Sequence, residues 1–390
     1  MVAGAGSMGA LGVIRSLGRA GYVVHAVASS PDAIGLHSRF ARHKIVHPAG
    51  DDPRFPQWAE ACIAANQIEL IIPGGPVSLG GPAVFKRYAH LFPQSHDPAV
   101  LARARKYELF QTILAGRGDE VANLPPLALV DLENFDPLGI DLGGMDLPIF
   151  IKLDAAHSRV KRSDAVIRVT SRNEALARLG QLRSQYKKAV VQGFVPGCGV
   201  GVFLLRWNGT IKARFMHRRL HEMPHTGGAS SLRESWWHDR IVADAEAKLA
   251  LVDWQGVAMV EYRWDSATDK FYLMEMNLRF WGSIHLALYA DVDFPKELAD
   301  CFFGTETSRP QSTATAPSRL GLRCRNTIPF EIGYLASLWR DKDVALSRKL
   351  FAIWEMICLT FDFRVKNDLL FPGDRMLFWY RLWRFVRTGQ

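Results

Sequence analysis

The residues of this 390-residue chain best equipped for chemistry lie in a predicted hairpin with strands over 256–265 and 271–277. Residues two apart share one face of a strand. Phe271, Leu273, Glu275 and Asn277 are therefore expected to point one way, and Tyr272, Met274 and Met276 the other. On the partner strand Val257, Met259, Glu261 and Arg263 alternate with Ala258, Val260, Tyr262 and Trp264. With a loop over 266–270, Asp265 pairs with Phe271 and Glu261 falls opposite Glu275, with Asn277 one step along. Like charges directly opposite destabilise a sheet, so the arrangement asks for a cation. Two carboxylates and an amide are an oxygen-only donor set, which suits Mg²⁺ and leaves positions for water and substrate phosphates. The plainer reading is a solvated hairpin face in another register.

Two further features carry charge or close backbone approach. Lys152 follows apolar residues in a predicted strand over 149–153, where an unpaired ammonium needs a reason; the bland alternative is a solvated surface lysine. Gly4-Ala5-Gly6-Ser7-Met8-Gly9 stands between a short strand and a helix, the setting that seats a dinucleotide pyrophosphate on a helix N-terminus. The second strand, however, ends Ala26-Val27-Ala28-Ser29-Ser30 with no acid for a ribose before Asp32. A tight turn that starts the fold is the favoured reading, and an NAD(P)-dependent oxidoreductase is the alternative function that rests on it.

Val260-Glu261-Tyr262 followed by Met274-Glu275-Met276-Asn277-Leu278-Arg279-Phe280-Trp281-Gly282-Ser283 resembles the metal-binding end of ATP-grasp enzymes, particularly those similar to the carbamoyl-phosphate synthetase large subunit. The usual Asn-Pro-Arg is Asn-Leu-Arg here. The resemblance covers most of residues 1–304. It implies an ATP-dependent ligase that joins a carboxylate to an amine, or a thiol, through an acyl phosphate and releases ADP and phosphate. It implies ATP and Mg²⁺ as cofactors, with Mn²⁺ a substitute, and Glu261, Glu275 and Asn277 as metal ligands. Lys106 and Lys152 are the implied phosphate-binding lysines. Lid residues 154–163 lack the common glycine loop and offer His157, Ser158, Arg159, Lys161 and Arg162 instead, so phosphate cover is expected to rely on side-chain cations. Gln192, Phe194 and Val195 resemble the strand that reads the adenine edge, although the family's usual Glu is Gly193. Arg218 to Glu222, with Gly227, Gly228 and Ser230, resembles the loop beside the acceptor site. Arg219 and Arg279 are the implied catalytic cations, set where charge develops in phosphoryl transfer.

The elements that must hold these residues read as α/β followed by α+β. A Rossmann-like unit over 1–97 precedes an ATP-grasp unit over 98–304 with a lid over 120–193, and Asp97-Pro98 opens the helix between them. A Ser/Thr/Ala/Pro-rich linker over 305–318 leads to a C-terminal helical extension over 319–390. The first strand is so short that the recorded start is expected to lie inside it. Lys and Arg exceed Asp and Glu by nine, which favours anionic partners. Five scattered cysteines without a C-x-x-C pair are read as reduced thiols. With no signal-peptide pattern or spanning segment, the protein is expected to be cytoplasmic. Its partners are expected to be small-molecule or peptide carboxylates and amines, not nucleic acid, with a homodimer allowed. Residues 375–390 mix arginines with aromatics. They read either as an interfacial helix on anionic lipid at the inner membrane face or as a helix packed on the body. A non-catalytic nucleotide-binding or membrane-associated protein is the third functional reading.

Overall fold

The computed structural model describes residues 1–74, 81–160, 164–305 and 319–388. Strands Val2–Ala3, His25–Ala28 and His43–Val46 form a parallel sheet, which Ile72 extends by a bridge to Val2. Helix Met8–Arg19 covers it. Its start is fixed by Ser7, whose side chain accepts from the Ala10 amide at 3.1 Å, one of the donors a helix N-terminus leaves unpaired. Its glycines are demanded by packing. A Cβ on Gly12 would stand 2.2 Å from Ile284 Cγ2, and one on Gly9 would stand 3.0 Å from the Phe280 carbonyl oxygen. The helix thus lies directly on the chain that leaves the Glu275–Asn277 strand, in keeping with the turn reading.

Asp97 caps helix Pro98–Arg103 as expected, accepting from the Ala99 amide at 2.7 Å. The single helix expected to carry Arg103, Arg105, Lys106 and Glu108 is two. It breaks at Ala104-Arg105, and a second helix, Lys106–Leu114, begins with Lys106 in its first turn. Asp154 accepts the Lys106 amide at 2.9 Å and so ties that turn to the segment after strand Ile149–Leu153.

A four-stranded antiparallel sheet orders Leu127–Asp131, Lys188–Gln192, Ile149–Leu153 and Ala165–Val169, with helix Arg172–Leu182 burying Ala175 and Leu179 against it. The largest sheet has seven strands, in the order Lys270–Asn277, Gly256–Asp265, Cys198–Trp207, Thr210–Met223, Ala229–Ser235, Arg323–Arg325 and Lys366–Asn367. Helix Asp239–Val252 packs Ile241, Ala245 and Leu249 on one face, against Val202, Leu204, Val260 and Tyr262. Phe203, Phe215 and Met259 on the other face meet Trp281, Ile284 and Phe294. Alternation along each strand therefore feeds two separate cores.

Two expectations are corrected here. Arg218 to Glu222 is not loop but the end of the 14-residue strand Thr210–Met223, where polar residues occupy both faces and mask the period-two signal. The C-terminal segment is not only helical, since two short strands complete the large sheet. These strands are too brief to show a pattern and are held by buried charge: Arg233 pairs with Asp368, and Arg15 with Asp374 at 2.9 Å. The tail forms helix Met376–Thr388, which seats Leu377 with Leu11 and Ile34 and stacks Tyr380 on His37 at 4.0 Å. Most of the expected linker, 306–318, lies outside the described residues.

Candidate functional site

Glu261 faces Glu275 across the hairpin. The turn is one residue shorter than expected, with Asp265 opposite Lys270 and Trp264 opposite Phe271. Met274 is then left unpaired as a bulge, and the register returns at Glu275. The bulge corrects the expected faces. Phe271 and Leu273 join Val260 and Tyr262 in the helix-covered core, whereas Glu275 and Asn277 emerge on the open face with Glu261 and Met259. It also supplies a partner for the half-buried lysine, since Lys152 Nζ donates to the Met274 carbonyl at 3.1 Å.

The three expected metal ligands are in mutual contact. Asn277 Nδ2 donates to Glu261 Oε1 at 3.0 Å and to Glu275 Oε1 at 2.7 Å. The amide therefore shows its NH₂ to the carboxylates, and as an oxygen donor it must turn over. Arg219 stands on strand Thr210–Met223, separated from the Glu261 strand by Cys198–Trp207. It crosses at Gly199, where a Cβ would stand 2.8 Å from its Cδ. Its guanidinium donates to the second oxygen of Glu261, to Glu222 at 3.2 Å and to the Gly228 carbonyl at 2.8 Å. Burial drives the Glu261 carboxyl up, Arg219 opposes this and the facing Glu275 adds to it, leaving a pKa of about 7. Burial also acts to raise Glu275, but the Asn277 amide, Lys152 and Lys106 outweigh it and hold the carboxyl below its ordinary range. Burial lowers Lys152 to about 8, Glu275 opposing and Lys106 assisting. The two carboxylates face each other, and with Asn277 turned they present an oxygen-only donor set. Those residues fit a divalent cation such as Mg²⁺.

Two cavities meet at this pair. One, of about 360 Å³, is bounded by Arg219, Glu261, Ser230 and Trp281. The other, of about 910 Å³, is bounded by Lys106, Asp154, Met276 and Leu278. Glu275, Asn277 and Arg279 belong to both walls. Among the described residues no carboxylate pairs with Arg279, whose only hydrogen bond is to the Phe280 carbonyl at 3.1 Å. Gly228 and Ser230 line the smaller cavity while Gly227 does not.

Other expected residues are placed differently. Ser158 donates within its own turn, to the Val160 carbonyl, and Lys161 lies outside the described residues. Gln192, Phe194 and Val195 line neither cavity. The Phe194 amide is taken by the Asp146 carbonyl at 2.9 Å, while Gln192 is buried with its Nε2 unpartnered. Gly193 has a steric cause: a Cβ there would stand 3.0 Å from Met145 Cβ and 3.2 Å from the Asp146 amide nitrogen. Gly193→Glu should therefore destabilise the fold by about 1–3 kcal/mol, as overpacking does. A urea-unfolding midpoint equal to wild type would refute that packing account. Sequence reasoning missed Asn326, Phe330 and Asp368, which line the smaller cavity from the C-terminal segment, and no local signal marked them.

No protein-family model matches the chain, and no curated protein does. Solved structures match at probability 1.00. Biotin carboxylase from Campylobacter jejuni, in a β-γ-ATP complex, aligns over 83% of this chain and 73% of its own, with 14% identity and TM-score 0.58. The L-amino acid ligase of Bacillus licheniformis aligns over 82% and 77%, with 12% identity and TM-score 0.58. N5-carboxyaminoimidazole ribonucleotide synthetase from Thermus thermophilus aligns over 81% and 80%, with 18% identity and TM-score 0.55. Identities this low speak for the fold, which is that of the ATP-grasp enzymes.

Proposed function

We propose that the protein is an ATP-dependent ligase that joins a carboxylate to an amine, or to a thiol, through an acyl phosphate. The observation that carries this reading is the shared wall: Glu275, Asn277 and Arg279 stand between a large cleft reached by Lys106 and a smaller, separately lined cavity. A nucleotide in the first can hand its terminal phosphoryl group across that wall to a carboxylate in the second. Glu261, Glu275 and Asn277 would hold Mg²⁺, or Mn²⁺, whose chemistry there is to neutralise phosphate oxygens. Lys152 and Lys106 bring two ammonium groups to the same edge, and Arg279 offers a cation to developing charge. Arg219 is a positioning residue, since its guanidinium is engaged by Glu261, Glu222 and Gly228.

Thermal unfolding tests this reading, because a ligand that binds only the folded state raises the midpoint by mass action. Mg-ATP should raise Tm and NADH should not. A rise with NADH alone would favour the oxidoreductase. A rise with Mg-ATP but no turnover with any carboxylate and amine would favour a non-catalytic nucleotide-binding protein. Among the described residues no helix is long and apolar enough to cross a membrane.

A separate proposal concerns the tail helix. Its inner side is packed, but Trp379 and Trp383 are 59% and 54% exposed on the other, with Arg375 and Arg387 also exposed and Arg387 over the Trp383 ring. Aromatic and basic side chains together suit an anionic membrane surface, each basic group contributing about 1 kcal/mol. Deleting the tail would uncover Leu11 and Ile34, so the cleaner variant is Trp379→Ser with Trp383→Ser. Wild type should co-sediment with phosphatidylglycerol vesicles at low salt and the double variant should not. Equal sedimentation of the two, or none by either, would refute the contact.

A further inference from the structure

Helix Leu346–Phe361 of the C-terminal segment is apolar on both sides. Ala352 and Leu359 are its buried residues, and Ala352 packs with Tyr334 and Leu338 of the preceding helix, Ile332–Arg340. At about 100° per residue, Leu346, Leu350, Trp354, Ile357 and Phe361 fall on the opposite side, and each is between 50% and 72% exposed. A helix that is apolar all round normally lies inside a fold, so this outer face asks for a cover. The rings of Trp354 and Phe361, with Phe351 beside Trp354 at 5.6 Å and Phe363 just past the helix end, expose on the order of 500 Å² between them. The three aliphatic side chains add to that. A monomer rarely leaves more than roughly a few hundred Å² in one apolar patch, and each partner of a stable dimer gives about 800 Å². The helix pair that presents the face is anchored to the body, since the His225 amide donates to Ser337 Oγ at 2.9 Å and His225 Nε2 lies 3.0 Å from Asp341 Oδ2.

We infer that this face pairs with the same face of a second copy of the chain, as two antiparallel helices related by a two-fold axis. Such a contact requires a surface that complements itself when reversed. The stripe has that form. The steps from Leu346 to Leu350 and from Ile357 to Phe361 are both four residues, and the midpoint falls between Ile353 and Trp354. Reversal sets Leu346 against the partner's Phe361, Leu350 against the partner's Ile357, and the two Trp354 side chains together at the axis. Charge favours a second copy over lipid. Residues 341–364 hold four acidic and four basic side chains, a net charge of zero, so an anionic membrane gains no net attraction here, whereas two copies meet without repulsion. The basic tail helix differs in this respect.

Sedimentation equilibrium of the full-length protein across the micromolar range tests the contact. Wild type should have twice the chain mass. In Leu350→Asp with Ile357→Asp each new carboxylate faces another across the axis, so the dimer dissociation constant should rise at least about a hundredfold. Leu350→Lys with Ile357→Lys should be as weak alone, and an equal mixture of the two variants should recover the dimer, because position 350 of one copy meets 357 of the other. Both positions are exposed, so circular dichroism should show the wild-type fold. Should a charged pair fail to fold, Leu350→Ser with Ile357→Ser takes its place, with a monomer expected. Wild type that stays a monomer, a dimer that the acidic pair leaves intact, or a mixture that fails to recover it would overturn the inference. A monomeric wild type that co-sediments with phosphatidylglycerol vesicles, and loses this with the acidic pair, would give the face to lipid instead.

Discussion

Glu275→Gln should lower Mg-ATP turnover by at least about a hundredfold, or about 3 kcal/mol of transition-state stabilisation, while the protein stays folded. The substitution keeps the volume and one carbonyl oxygen but removes the negative charge that the facing Glu261 and the adjoining Lys152 and Lys106 all sense. Stability should hold because like charges opposed across a hairpin already work against the fold, and Asn277 can still donate to the new amide oxygen. Turnover within about threefold of wild type, measured as ADP release with folding checked by circular dichroism, would remove Glu275 from the metal site. Loss of the fold instead would return the pair to a structural role in the hairpin.

Lys152→Met should weaken Mg-ATP binding about tenfold or more, some 1.4 kcal/mol, and slow turnover, with little cost to the nucleotide-free fold. The lysine is held near the carboxylate pair by a single neutral acceptor, the Met274 carbonyl at 3.1 Å, so without ATP its charge is poorly compensated. The same fact gives a pH signature. The folded-state pKa of about 8 lies below the ordinary 10.5, so between these values the unfolded chain binds the proton that the folded one has released. Stability from this group therefore rises as pH increases from about 8 to 10.5 and is flat below 8. Wild type should gain on Lys152→Met in unfolding free energy across that window. A constant difference between the two proteins, or unaltered ATP affinity in calorimetry, would contradict the placement of the ammonium.

The carboxylate pair was legible because it depends on local pairing, and two departures from regularity cancel at it. The tighter turn shifts every partner by one, and the Met274 bulge shifts them back. Phe271 and Leu273 lie between those two departures, so the same irregularities that spared Glu275 reversed their faces. Strand Ile149–Leu153 and helix Asp239–Val252 were likewise readable from composition and period over their own lengths. What was hidden is long-range. Arg219 meets Glu261 across 42 positions, and Asn326 meets Asp368 across another 42. Strands of two or three residues carry no periodic signal, so nothing in 319–375 announced that this stretch closes a cavity beside the hairpin. Gly193 showed the opposite limit. It read as a missing contact, whereas the crossing of Met145 and Asp146 leaves no room for a side chain.

The central claim is that the two cavities hold a nucleotide and a carboxylate on either side of one wall, and ADP release from Mg-ATP tests it most directly. The assay is run with neither substrate pool, with carboxylates alone, with amines alone and with both. Release should be greatest with both pools together, should need Mg²⁺, and should vanish in Glu275→Gln. Release that is the same in all four mixtures, or that survives Glu275→Gln, would contradict the account.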